Sequence, residues 1–174
     1  MKEYLPLFTA LLGALISLAA SLLTALVGNQ KIRMQLDYEL KKDKRKILYE
    51  KGEELIYLYI KWAKYVSMFQ TQNIQLLKGD LTESVALKVR SETSENIDHD
   101  RVLALIHAYF PEIKVQFDVA DKYRSEAVMA YFAFKAGSKS KSDTLDAIHE
   151  NADLFDREVK VFNEKLSEIL KVNN

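Results

Sequence analysis

The 174 residues contain no cysteine, two prolines and five glycines. Without cysteine there is no disulfide framework, no thiolate nucleophile and no zinc site of the Cys-rich kind. The same absence suits a reducing compartment. With so few prolines and glycines, long helices meet few interruptions. No stretch alternates polar and β-branched apolar residues for more than a few positions, so strands are not expected. Net charge is missing too, with 25 basic and 25 acidic side chains. A balanced chain lacks the overall basic field that draws a protein to nucleic acid, and no nucleic-acid partner is predicted. The glycine patterns of Walker A and Rossmann sites and the Gly-x-Ser-x-Gly elbow are also absent. The reading is a non-enzyme without a cofactor.

What is present begins at Leu5. From there to Val27 run 23 residues without one charged side chain. At about 1.5 Å per residue, a helix of that length crosses the roughly 30 Å hydrocarbon core of a bilayer. A cleaved signal peptide is the alternative, because Lys2 makes a short positive start and Ser17-Leu18-Ala19 resembles a cleavage site. The apolar run continues well beyond that site and beyond a normal signal core of roughly 7–15 residues, which favours an anchor. Lys2 and Glu3 cancel before the span, whereas Lys31, Arg33, Lys41, Lys42, Lys44, Arg45 and Lys46 follow it. The positive-inside bias then puts the N-terminus outside and the C-terminal bulk in the cytoplasm, as a single-pass inner-membrane protein.

Small residues recur along the span. Ala10, Ser17 and Thr24 are spaced by seven, as are Ala14, Ser21 and Gly28, with Gly13 close beside them. In lipid, small side chains let helices approach, and a seven-residue period favours a left-handed crossing. This face predicts homo-oligomerisation through the membrane helix, against the plain alternative that such residues are common in membrane spans.

Charge divides the remainder. Residues 31–78 hold 11 basic and 6 acidic side chains, net +5, and residues 79–174 hold 13 and 18, net −5. A basic membrane-proximal half argues for an anionic lipid surface before nucleic acid. Three regions are expected: an anchor over 1–30, a charged stalk over 31–46 and a helical domain over 47–174. Gly28-Asn29 is the expected bend. Lys41, Lys42, Lys44, Arg45 and Lys46 form the strongest charged motif. It reads as a solvated topology signal, as a contact for anionic lipid, or as a site for a phosphate-bearing small ligand. On a straight helix Lys41 stands about 20 Å beyond Gly28, more than the roughly 8–10 Å screening length, so lipid contact requires a bend or tilt.

Beyond Lys46, Leu48, Gly52, Leu55, Tyr59, Trp62, Val66, Phe69 and Leu76 keep a three-four alternation that only Asn73 breaks. That predicts an amphipathic helix over 46–78, widened by Ile47, Ile56, Ile60 and Ala63 and closed by Gly79. Thr82 caps a short helix to Arg90 with Val85 and Val89 on one side, and residues 91–100 form a polar connection. A helix from Val102 stops before Pro111, which restarts the chain toward Ala136. After the 137–142 loop, Ser142 or Asp143 caps a last helix bearing Leu145, Ile148, Ala152, Phe155, Val159, Phe162, Leu166 and Ile169. The expected fold is all-α: one transmembrane helix followed by a cytosolic antiparallel helical bundle. Heptads of this kind also suit a coiled coil between chains.

Two histidine neighbourhoods invite a metal test, Asp98-His99-Asp100 and Asp146-x-x-His149-Glu150. Neither supplies the paired Glu-x-x-His motifs of a di-iron bundle, and no metal is predicted. Tyr59 and Trp62 belong to the predicted core, while Tyr57 and Tyr65 lie off it as a potential interaction patch. Tyr109-Phe110-Pro111-Glu112 reads as a helix stop and restart. With one span, a charged stalk and this string, the layout resembles that of various bacterial membrane proteins, a resemblance that implies no activity. The sequence therefore supports a membrane-anchored interaction or scaffold protein, self-associating, with a protein partner or a phosphate-bearing ligand. The competing reading is a ligand-sensing effector whose oligomerised spans perturb the bilayer.

Overall fold

Ordered by sequence, the described elements are α1 (Leu5–Lys78), α2 (Glu83–Ser94), α3 (His99–Tyr109), a 3-10 turn (Pro111–Ile113), α4 (Lys114–Lys135) and α5 (Lys141–Val172). They come from a computed structural model that describes residues 5–94 and 97–172, with the side chains of 5–12, Ala19 and Ser94 outside that description. Among the described residues the protein is all-helical, without a strand. Lys2 and Glu3, used above to weigh topology, lie outside them. The chain forms two compact units, Met1–Lys46 and Ile47–Asn174.

In the first unit, Gly28 and Asn29 both lie within α1. Its described apolar side chains pack on nothing: Leu15, Ile16, Leu18, Leu22, Leu23, Leu26 and Val27 are each 57–66% exposed. α1 is, among the described residues, the one helix long and apolar enough near its start to cross a membrane.

The second unit has its own core. Leu55, Tyr59, Trp62 and Val66 of α1 meet Val102, Leu105 and Ile106 of α3, Phe117 of α4 and Phe155, Phe162 and Leu166 of α5. Aromatic rings fill its centre. Tyr59 stacks on Phe162 with centroids 3.7 Å apart, and Trp62 meets Phe155 edge-on at 5.4 Å. Such ring pairs add about 0.5–1.5 kcal/mol beyond the area they bury. A smaller cluster joins Leu77 with Ala130, Tyr131 and Ile148. Gly52 admits α5: a Cβ there would stand 2.6 Å from a Leu170 methyl, so only glycine allows this approach without displacement. Of the residues expected to widen the apolar stripe, Ile56 is partly buried and Ala63 buried, whereas Ile47 and Ile60 are exposed.

Helix ends follow local chemistry. Gly79 takes φ +89° while the Asp80 N–H donates to the Gln75 carbonyl at 2.9 Å, the hydrogen bond of a glycine-closed helix end. The Thr82 carbonyl accepts from the Ala86 N–H, as an N-cap residue does. Three boundaries differ from expectation. α2 continues to Ser94, its last turn supported by the Thr93 hydroxyl donating to the Val89 carbonyl. α3 starts at His99 because the Asp98 carboxylate accepts from the Arg101 N–H at 2.8 Å. α5 begins at Lys141, capped by Ser140 and not by Ser142 or Asp143. The Ser140 hydroxyl accepts from the Asp143 N–H and donates to its carboxylate, a reciprocal arrangement the other two positions lack.

Candidate functional site

The sequence-derived residues of the anchor stand open. Gly13, Ala14, Ser17, Ser21 and Thr24 are exposed and Gly28 is half-exposed, while the Ala10 side chain lies outside the described residues. The Thr24 hydroxyl donates to the Ala20 carbonyl at 2.8 Å, a bond within the helix. A Cβ built on Gly13 or Gly28 would meet nothing within 4 Å. Lys41, Lys42, Lys44, Arg45 and Lys46 are all exposed on the same helix. These two groups therefore present surface without forming a pocket.

The histidine neighbourhoods separate. Asp98 is the α3 cap, and the His99 ring lies 5.7 Å from Phe117 and 6.2 Å from Trp62, in aromatic surroundings. Asp146, His149 and Glu150 are exposed on α5. Among the described residues, no three His, Asp or Glu side chains gather as metal ligands would.

A polar cluster that apolar periodicity does not mark lies where α2 meets α1. Asn73, the break in the heptads, is 1% exposed, and Gln70 and Gln72 beside it are also buried. Arg90 enters from α2: its Nε donates to Gln72 Oε1 at 2.9 Å and its Nη2 to Asn73 Oδ1 at 2.7 Å. Its guanidinium carbon sits 3.8 Å from the Phe69 ring centroid, a cation–π contact. These partners are neutral, and among the described residues Arg90 makes no ion pair. Burial pulls its pKa below the usual arginine range, against the opposing influence of Tyr131 and Tyr65. The inner face of α2 is accordingly Ala86, Val89, Arg90 and Thr93, while Val85 is 49% exposed. An arginine on an otherwise ordinary short helix gave no pattern to find. The one available signal was Asn73 at an apolar position.

Two clefts flank this cluster, and Tyr65 is a wall of both. One, of about 180 Å³, lies between α1 and α4 and is lined by Tyr65, Val66, Phe69, Gln70, Arg124 and Val128. Among the described residues the Gln70 amide nitrogen has no hydrogen-bond partner. Arg124 Nε donates to Asp121 Oδ1 at 2.6 Å, and its Nη2 to the Ser125 hydroxyl. The other cleft, of about 300 Å³, is lined by Lys61, Lys64, Tyr65, Met68, Thr93 and Ile97. Tyr65 was expected to lie off the core and does, half-buried.

Compared with known proteins, the chain matches no family model, no curated protein and no solved structure, so its function has to be read from its own residues.

Proposed function

We propose that the chain is a single-pass membrane protein whose first helix anchors a cytosolic antiparallel helical bundle, acting as a self-associating interaction scaffold and not as an enzyme. The observation that carries this reading is the exposed apolar run of α1. Seven large side chains between Leu15 and Val27 stand exposed, which water penalises and lipid does not. The basic flank after the run supports a cytoplasmic bundle. The small residues from Ala10 to Gly28 supply a face on which a second copy packs.

The association is tested on the span alone, in a membrane two-hybrid assay. Self-association is expected, and Ser17→Leu with Ser21→Leu should weaken it by holding the helices apart. Hydroxyl hydrogen bonds in membranes average only about 0.6 kcal/mol, so the loss should come mainly from packing. A background signal, or one unchanged by both leucines, would remove the small face from the account.

A second reading, a ligand-sensing membrane effector, is favoured by one observation: the half-buried Arg90 guanidinium has no carboxylate partner among the described residues, and two open clefts are lined by its neighbours Phe69, Gln70 and Thr93. Buried cations are ordinarily paired, and an anion arriving from outside would complete the pair.

A further inference from the structure

We infer that the paired clefts around Tyr65 form a binding site for a nucleoside monophosphate unit, with the heterocycle between α1 and α4 and the phosphate beside Lys61 and Lys64. The inference rests on the ligand-sensing reading but not on the membrane anchor, because every residue of the site lies in the Ile47–Asn174 unit.

The cleft between α1 and α4 suits a flat ring with polar edges. Tyr65 and Phe69 offer aromatic surface, their centroids 6.3 Å apart, and Val66 and Val128 complete apolar walls. Gln70 is 3% exposed and its amide nitrogen is unbonded, an arrangement that costs free energy in an empty protein. An amide carries both a donor and an acceptor, and a half-turn about its last bond exchanges them. It therefore complements the edge of a nucleobase, which also carries both. A simple fatty chain would leave this group unsatisfied.

The cleft beyond Tyr65 suits an anion. Lys61 and Lys64 line it, with Thr93 on the facing wall. The Lys61 ammonium lies 4.6 Å from the Tyr57 ring centroid and, like Lys64, makes no ion pair among the described residues. Three cations thus line the two clefts, Lys61, Lys64 and Arg124. Among the described residues, Arg124 alone of the three is in an ion pair, with Asp121. Charge complementarity calls for a ligand carrying at least one negative group, and ammonium groups bind phosphate as point charges. At about 180 and 300 Å³ the clefts together lie in the range of small-ligand sites, roughly 300–1,000 Å³.

The experiment is calorimetric titration of the full-length protein in detergent with the four ribonucleoside 5′-monophosphates. Inorganic phosphate, the free nucleosides and phosphatidylglycerol vesicles are titrated in parallel. At least one monophosphate should bind with Kd below about 1 mM, and its nucleoside and phosphate alone should each bind about tenfold more weakly. Gln70→Leu, which replaces the unsatisfied amide by an apolar group of similar size, and the surface change Lys64→Glu should each weaken binding about tenfold or more. Thermal unfolding of both variants separates lost binding from lost folding, and each should unfold at or near the temperature of the parent. Absence of binding by all four monophosphates overturns the inference, as does equal binding by phosphate alone or indifference to both substitutions. Binding only to the vesicles would assign the lysines to anionic lipid and overturn it equally. The anchor reading survives any of these outcomes.

Discussion

Leucine is used in opposite ways in the two units of this chain. Leu22 and Leu26 are 57% and 66% exposed, whereas Leu55 and Leu166 are fully buried. The residue type is the same, and what differs is whether the chain returns to cover it. In the second unit α3, α4 and α5 bring Phe117, Phe155 and Phe162 against α1, so its apolar stripe is closed by the protein itself. In the first unit the described large apolar side chains from Leu15 to Val27 stand exposed. The contrast teaches that hydrophobicity alone does not assign a core: the apolar side chains of the second unit are buried by protein, while those of the first stand exposed, as the proposed membrane anchor requires.

The largest effect should separate the units. Trp62→Ala removes a ring that contacts Tyr59, Phe117 and Phe155, and truncations of this size cost about 3–5 kcal/mol. Thermal denaturation of the detergent-solubilised chain should show a much lower midpoint. Leu22→Ala, a truncation in the first unit, should leave that transition within about 0.5 kcal/mol. Equal losses from both would mean that the first unit is packed against protein after all.

A finer test concerns the polar seam inside the second unit. Asn73→Leu removes an acceptor from Arg90, and a buried donor left without its partner costs about 1–3 kcal/mol. Adding Arg90→Met should recover part of the loss, because the stranded cation disappears with its need for acceptors. A strictly additive double variant would show that the two residues do not act together.

The smallest expected effect has the opposite sign. The Tyr59 hydroxyl is buried without a hydrogen-bond partner among the described residues, and burial, reinforced by Glu158, raises its pKa far above the usual phenol range. Tyr59→Phe keeps the stack on Phe162 and removes only the unpaired group. It should be neutral or stabilise by up to about 1 kcal/mol in the same denaturation experiment. A clear destabilisation would mean that the hydroxyl has a partner, such as an ordered water.

Much of the second unit was readable from periodicity. Leu55, Tyr59, Trp62 and Val66 of α1 are buried as the three-four spacing requires, as are Ile148, Phe155, Phe162 and Leu166 of α5. Gly79 ends α1 because a positive φ favours glycine. The readings that shifted are those where several residues compete. Ser140, Ser142 and Asp143 can all cap a helix, and the choice depends on which serine has a carboxylate three positions on. On α2 the side expected from Val85 and Val89 is covered only in part: Val89 is half-buried and Val85 exposed, while the amides of Gln72 and Asn73 draw Arg90 inward. A pairing across 17 residues leaves no periodic trace in one sequence. The clefts were hidden for the same reason: Tyr65 was recognisable as off-core, but Arg124 and Thr93 reach it only through tertiary packing.

The difference between the units is tested most directly by alkaline carbonate extraction of cells making either the full chain or residues 47–174. The full chain should remain with the membrane pellet. The fragment should be released and give a helical circular dichroism spectrum with a cooperative thermal transition. Release of the full chain into the supernatant, or a fragment that pellets and shows no cooperative unfolding, would contradict the claim that one unit needs lipid while the other closes its core in water.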